Sequence, residues 1–315
     1  MANWLQRLKP KSAFTRGVGV LLGGTAGAQL LAVLAAPLLT RLYPPEDFGL
    51  LAVYASLLAL IAVIASLRYE LAIPLPEDDV EAANVAALSL ILVGLSALLS
   101  GVLVVLFAPI ISNLLGVPAL AGHLWLLPVG VLLSGIYSVF NYWSVRTKRF
   151  TAVARTRLRQ ALTTIAIQVI AVKLGAVALL YAQVAGQSAG TVSLGRPVLA
   201  SAGFRKLSWR GIAMAAIRYR RFPIFSTWGG FANVAGLQLP PVLFAALFGP
   251  STVGLYALAH RVLTLPMSLV GGAIAQVFFA SAADAHRAGQ LAPLVISVHA
   301  KLSYLGMPFA FILFI

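Results

Sequence analysis

The chain has 315 residues, 60% hydrophobic and only 10% charged, with 23 Lys and Arg against 8 Asp and Glu, a formal charge of +15 and a mean hydropathy of +0.94. So little charge excludes a soluble domain of this size, and it turns a basic excess that would otherwise suggest nucleic acid toward anionic membrane headgroups. The absence of cysteine excludes disulfides, thiol catalysis and cysteine metal sites.

In chain order, residues 1–17 carry Arg7, Lys9, Lys11 and Arg16, a basic amphipathic segment suited to a membrane surface. The first apolar run, 18–39, is too long for a signal peptide and is followed at once by another. Gly19, Gly23 and Gly27 recur every four residues in it, a spacing that lets a second helix approach closely. A charged turn with Arg41, Glu46 and Asp47 leads to the second run, 48–67, whose twenty residues reach across roughly 30 Å of hydrocarbon at the rise of an α-helix. Arg68 and Glu70 mark its end. The acidic loop that follows (Glu77, Asp78, Asp79, Glu81) suits the N-terminus of a third span over 82–107. A loop from Pro109 to His123 without Lys or Arg precedes span four, 124–145, and the basic loop 146–159 precedes span five, 158–172, which is short and carries Thr163, Thr164 and Gln168.

Span six, 176–199, holds Gln183, Gln187, Ser188, Thr191 and Ser193, too many polar groups to face lipid, so it is expected to face other helices or a wet cavity. A basic connection, 196–221, follows. Span seven, 222–248, contains Asn233 and Gln238, and its Pro240-Pro241 pair is expected to break or kink it. Span eight, 253–283, contains His260 and Arg261, and span nine starts near Leu291. Tyr43, Trp125 and Tyr181 near span ends read as interfacial anchors.

A shift of 205 residues brings Leu42, Pro45, Gly49, Leu50 and Ala52 onto Leu247, Pro250, Gly254, Leu255 and Ala257. The shared pattern is an internal parallel repeat. The expected fold is therefore an all-α integral membrane protein of about nine transmembrane helices, with a six-helix lobe over 1–200 and the first three helices of a second lobe over 201–315. A complete second copy would run to about residue 410 on this offset, so a truncated chain is expected. The N-terminal segment, 146–159 and 196–221 hold 17 Lys and Arg, against Arg41 and Lys173 on the facing turns, which puts the N-terminus in the cytoplasm.

Nucleotide and metalloprotease signatures are missing: the sequence has no GxxxxGK[ST], strand-borne GxGxxG or HExxH, and its four histidines lack ligand spacing. Neither a cofactor nor a metal is implied. The residues left are polar or charged groups in or beside spans. Arg261 lies about eight residues into span eight, roughly 12 Å deep by helix rise. It reads as a cationic cavity lining for an anionic headgroup or as a paired or snorkelling structural charge. Arg68 and Arg16 are weaker candidates for the same cationic lining. Gln183, Gln187, Thr191, Asn233 and Gln238 suit either hydrogen bonds to sugar hydroxyls and water or bonds between helices.

The segment RLYPPEDFGLLAVYASLLALIAVIASLRYELAIPLP (41–76) resembles the N-terminal signature of bacterial polysaccharide-biosynthesis membrane proteins of the O-antigen flippase type, and 253–278 resembles their segment after the lobe junction. The resemblance implies the multidrug/oligosaccharidyl-lipid/polysaccharide exporter fold, two six-helix lobes working by alternating access in the bacterial inner membrane. It also implies a polyprenyl-pyrophosphate-linked oligosaccharide as substrate, with a polysaccharide polymerase and chain-length machinery as partners. The other readings are a peptidoglycan-precursor flippase, a multidrug antiporter, a membrane-embedded polymerase or ligase, and an inactive remnant. The antiporter is disfavoured because every Asp and Glu lies at or beyond a span end, and the polymerase or ligase because the outer loops are short.

Overall fold

The computed structural model describes residues 13–287, 289, 291–300 and 303. The helices run in the order α1 (Ala13–Leu42), α2 (Pro45–Ala62), α3 (Asp79–Leu114), α4 (Leu126–Arg146), α5 (Phe150–Ile170), α6 (Ala176–Leu199), α7 (Trp209–Arg218), α8 (Thr227–Arg287) and α9 (Leu291–Ala300). No strand occurs among the described residues. Five segments, Gly19–Leu42, Pro45–Ala62, Asp79–Leu114, Leu126–Arg146 and Phe222–His260, are long and apolar enough to cross a bilayer by length and composition. The protein is an all-α, multi-pass membrane protein. The end of the bundle that carries the turn 147–149 and the connection 200–221 is called the basic face below.

Several helix ends differ from expectation. Helix α2 stops at Ala62, where the unbroken apolar run suggested it would continue to Leu67. Residues 63–68 instead form turns, with Leu67 (φ 49°) and Arg68 (φ 63°) left-handed, and Tyr69–Ala72 make a short 3-10 helix. This tail is buried: Glu70 accepts a hydrogen bond from the Ser66 hydroxyl, and Tyr69 donates to the Ala216 carbonyl (2.9 Å). Apolar side chains serve a buried coil as well as a span, so hydropathy alone does not mark the end.

Helix α3 passes through Pro109 to Leu114 and closes with a Schellman motif, Val117 N–H to Ser112 (2.9 Å) and Gly116 N–H to Asn113 (3.0 Å), with Gly116 at φ 66°. Helix α5 begins at Phe150, so most of the expected basic loop is helical. Pro240-Pro241 do not break α8; the break is at Gly249, with φ 80° and ψ 172°. Tyr43 is not an interfacial anchor: it is buried, 2% exposed, and donates to the Gln168 carbonyl. Trp125 and Tyr181 pair edge-on at 6.1 Å.

The core has one large cluster around α2, α3 and α4 (Val53, Tyr54, Val93, Leu127, Val131) and another near the basic face (Ile73, Val85, Phe140, Trp143). Helix α1 packs on α5, with Gly27 of the expected glycine stripe at the contact and Gly19 and Gly23 away from it. Nothing lies within 4 Å of a Cβ placed on Gly19 or Gly23. The close approach is made at Gly24, where a Cβ would strike the backbone of Ala154, and at Gly27, where it would lie 3.1 Å from Leu158.

Helix α2 meets α8 through the repeat-related glycines. A Cβ on Gly49 would strike the Pro250 carbonyl, and one on Gly254 would strike the Pro45 carbonyl. Such reciprocity, in which each motif copy receives the proline of the other, is the pattern of a two-fold seam. Ser56 donates to Gln238 Oε1 (2.9 Å) farther along the same interface.

Candidate functional site

Helices α1, α2, α5 and α6 line an open-sided cavity of about 420 Å³. Half of its lining is polar: Gln29 from α1, Gln160, Thr164 and Gln168 from α5, and Gln183 and Gln187 from α6; the rest includes Ala32, Leu51 and Ile165. None of the lining residues is ionisable. Two glycines of α6 make room for this arrangement, since a Cβ on Gly186 would strike the Thr164 hydroxyl and one on Gly190 the Gln160 amide. Gln168 is 7% exposed, and Gln187 Oε1 is buried without a hydrogen-bond partner. A buried amide oxygen left without a donor costs about 1–3 kcal/mol, so a cavity of this lining favours an occupant that brings hydroxyl or water donors.

Toward the basic face, Arg157 stands one helical turn before Gln160 and Ala161 on α5. Its Nη1 donates to the Thr25 hydroxyl, itself one turn before Ala28 and Gln29, and the guanidinium stands within electrostatic reach of Tyr137 of α4. Arg159 donates to Ser193 (2.9 Å), which also bonds Thr156 (3.2 Å).

A second polar cluster lies at the α2 tail. Arg68 is half-buried, its Nε is buried and unpartnered, and Gly230 of α8 packs on it so closely that a Cβ there would sit 3.2 Å from Cζ. Glu70 is 5% exposed, and Tyr142 lies within electrostatic reach of both charges. Burial pushes the Glu70 carboxyl above its ordinary range, while the Ser66 hydrogen bond, its own N–H and Arg68 pull partly back. The acidic loop is tied down nearby. Asp78 caps α3 by accepting from the Glu81 N–H (3.2 Å), Arg146 pairs with Asp79 (2.9 Å) and donates to the carbonyls of Pro76 and Glu77, and Arg218 pairs with Glu81 (2.9 Å). Among the described residues no group of acidic residues and histidines has the arrangement of a metal site.

A family model described as polysaccharide biosynthesis protein matches residues 38–315. The chain belongs to that family. Neither a curated protein nor a solved structure matches it. As a polysaccharide biosynthesis protein it takes part in the synthesis or export of polysaccharide at a membrane.

The structure brings Gln183 and Gln187 into the cavity and leaves the other expected site residues outside it. Asn233 is exposed on α8, and Gln238 is engaged by Ser56. The Thr191 hydroxyl stands 3.0 Å from the carbonyls of Leu133 on α4 and Gln187 on its own helix, so its one proton serves helix packing. Arg68 lies at the other cluster. Arg261 and Arg16 are on helical backbone, but their side chains fall outside the described set. Arg41 is exposed and forms no ion pair with Glu46 or Asp47. Sequence reasoning missed Gln29, Gln160 and Arg157, the last because it fell in the expected basic loop. The spacing 160, 164, 168 of Gln, Thr, Gln is a one-face helical stripe and was the available signal.

Proposed function

We propose that the protein is a flippase that moves a polyprenyl-pyrophosphate-linked oligosaccharide across the bacterial inner membrane by alternating access. The observation that carries this reading is the cavity: five glutamines and a threonine, all uncharged, facing one another inside an otherwise apolar helical bundle. Neutral amides both donate and accept, which suits sugar hydroxyls, and a wall without titratable groups suits a large polar cargo that must be released as readily as it is bound. On this reading the seam of α2 and α8, closed by backbone contacts at Gly49 and Gly254, is where a lobe over 1–200 rocks against the helices of 201–315. The basic segments face the cytoplasm, so the N-terminus is cytoplasmic and loading occurs at the basic face. The driving force is an ion, potential or substrate gradient, and the product passes to a polysaccharide polymerase and its chain-length machinery.

The test is complementation of a host lacking its oligosaccharide flippase. Restored surface polysaccharide that is lost on Gln160→Leu with Gln187→Leu, at unchanged protein level, supports the reading. No restoration, with the protein present in the membrane, contradicts it.

A further inference from the structure

We infer that Arg157 and the glutamine cavity form one bipartite site, in which the guanidinium takes a phosphate or diphosphate group at the basic face and the cavity takes the sugar attached to it. The inference deepens the flippase reading and rests on it for the identity of the cargo. Arg157 differs from Arg146 and Arg218 in having no ion pair among the described residues. Arg146 pairs with Asp79 and Arg218 with Glu81, whereas Arg157 donates to the Thr25 hydroxyl and stands within electrostatic reach of Tyr137. The Thr25 bond fixes the side chain without neutralising it, and a half-buried cation in a helical bundle is costly without an anion. A guanidinium has five N–H donors, and these contacts leave several of them unused. No Arg157 nitrogen is both buried and unpartnered, in contrast to Arg68 Nε, so the remaining donors open onto accessible space.

The position fits the chemistry. Arg157 and Thr25 each lie one turn, about 4.5–6 Å of rise, on the basic-face side of cavity residues from their own helices, Gln160 and Gln29. An anion on Arg157 therefore points whatever is attached to it into the amide-lined space. Thr25 is buried, so the guanidinium is pre-oriented and little rotamer freedom remains to be lost on binding. A planar, permanently charged fork is the side chain best matched to phosphate oxygens.

The phosphate could come from a lipid-linked glycan or from an ordinary anionic phospholipid, and the experiment separates these sources. The purified chain in detergent is titrated with farnesyl diphosphate, with its N-acetylglucosamine conjugate and with short-chain phosphatidylglycerol. The sugar conjugate is expected to bind tightest. Arg157→Gln should weaken both diphosphates by about tenfold or more, with Arg157→Lys intermediate. Gln160→Leu with Gln183→Leu should remove only the advantage of the sugar conjugate. Thr25→Val separates support from binding: it should lower the melting temperature yet keep most of the diphosphate affinity. The inference is overturned if Arg157→Gln binds both diphosphates like the parent, if phosphatidylglycerol competes equally with the sugar conjugate, or if Arg157→Gln and Thr25→Val both lose affinity only in proportion to stability. Complementation by the parent together with unchanged binding in Arg157→Gln would discard this site and keep the flippase. Arg157-dependent binding without complementation would keep the site and discard the flippase.

Discussion

The seam between α2 and α8 supports a prediction with a definite size. In Gly49→Ala the new methyl would stand 2.6 Å from the Pro250 carbonyl carbon and 3.0 Å from its Cα, and in Gly254→Ala 2.8 Å from the Pro45 carbonyl carbon. Ordinary contact begins at 3.4 Å, and the obstacle is backbone that cannot rotate away, so the helices must part by roughly 1 Å. Overpacking of this kind costs about 1–3 kcal/mol. Both changes act on one interface, and the separation that relieves the first also relieves the second. The double variant should therefore cost less than the two singles together, by at least about 0.5 kcal/mol. Gly19→Ala and Gly23→Ala are the controls: their methyls meet nothing within 4 Å, and replacing a helical glycine should be neutral or stabilising by about 0.5–1 kcal/mol. Denaturant-induced unfolding of the purified protein in micelles measures all five. If Gly49→Ala and Gly254→Ala match the controls, or if their costs add within about 0.3 kcal/mol, the reciprocal seam is refuted.

Other outcomes follow from the two polar clusters and the acidic loop. Because the folded state raises the Glu70 carboxyl above its ordinary value of 4.5, it favours the protonated form; stability is greater at low pH and falls as pH rises through the raised value. Glu70→Gln should remove that fall, seen as a flatter profile of melting temperature above pH 4.5. Arg146→Gln removes the Asp79 pair and the carbonyl bonds that hold residues 73–79, costing about 2–4 kcal/mol. It should also open this loop to limited proteolysis, whereas cleavage at the parent rate would deny Arg146 that role. Gln187→Leu exchanges a poorly satisfied amide for an apolar group and Gln183→Leu removes a second cavity amide, so they should leave thermal stability equal or higher while abolishing complementation. A loss of stability instead would mark these residues as structural bonds between helices.

The membrane class was legible because hydropathy depends on composition alone, and α6 was bounded to the residue by Gly175 and its apolar run. Where helices end was harder. The run 48–67 stays apolar past Ala62 because residues 63–66 are packed against protein, and hydropathy does not separate a buried coil from a lipid-facing turn. Prolines misled in the opposite direction. Pro109 and Pro240-Pro241 sit inside helices, while the break fell at Gly249, where a left-handed φ costs little. In the site, Gln183 and Gln187 stood out as amides in a hydrophobic run. Gln160 lay at the start of the expected span five without standing out, and Arg157 was hidden because three arginines made the first turns of α5 read as a loop. The repeat was visible as five matched residues, but that its two copies touch through Gly49 and Gly254 is a tertiary fact that no spacing along the chain contains.

The most direct measurement is lipid-linked sugar movement itself. The protein is reconstituted into liposomes with a fluorescent polyprenyl-diphosphate oligosaccharide, and the fraction that becomes accessible to a membrane-impermeant quencher is followed over time. The account predicts transfer well above protein-free liposomes, abolished by Gln160→Leu with Gln187→Leu and strongly slowed by Arg157→Gln. Transfer at the protein-free rate, or transfer that these cavity substitutions leave unchanged, would contradict it.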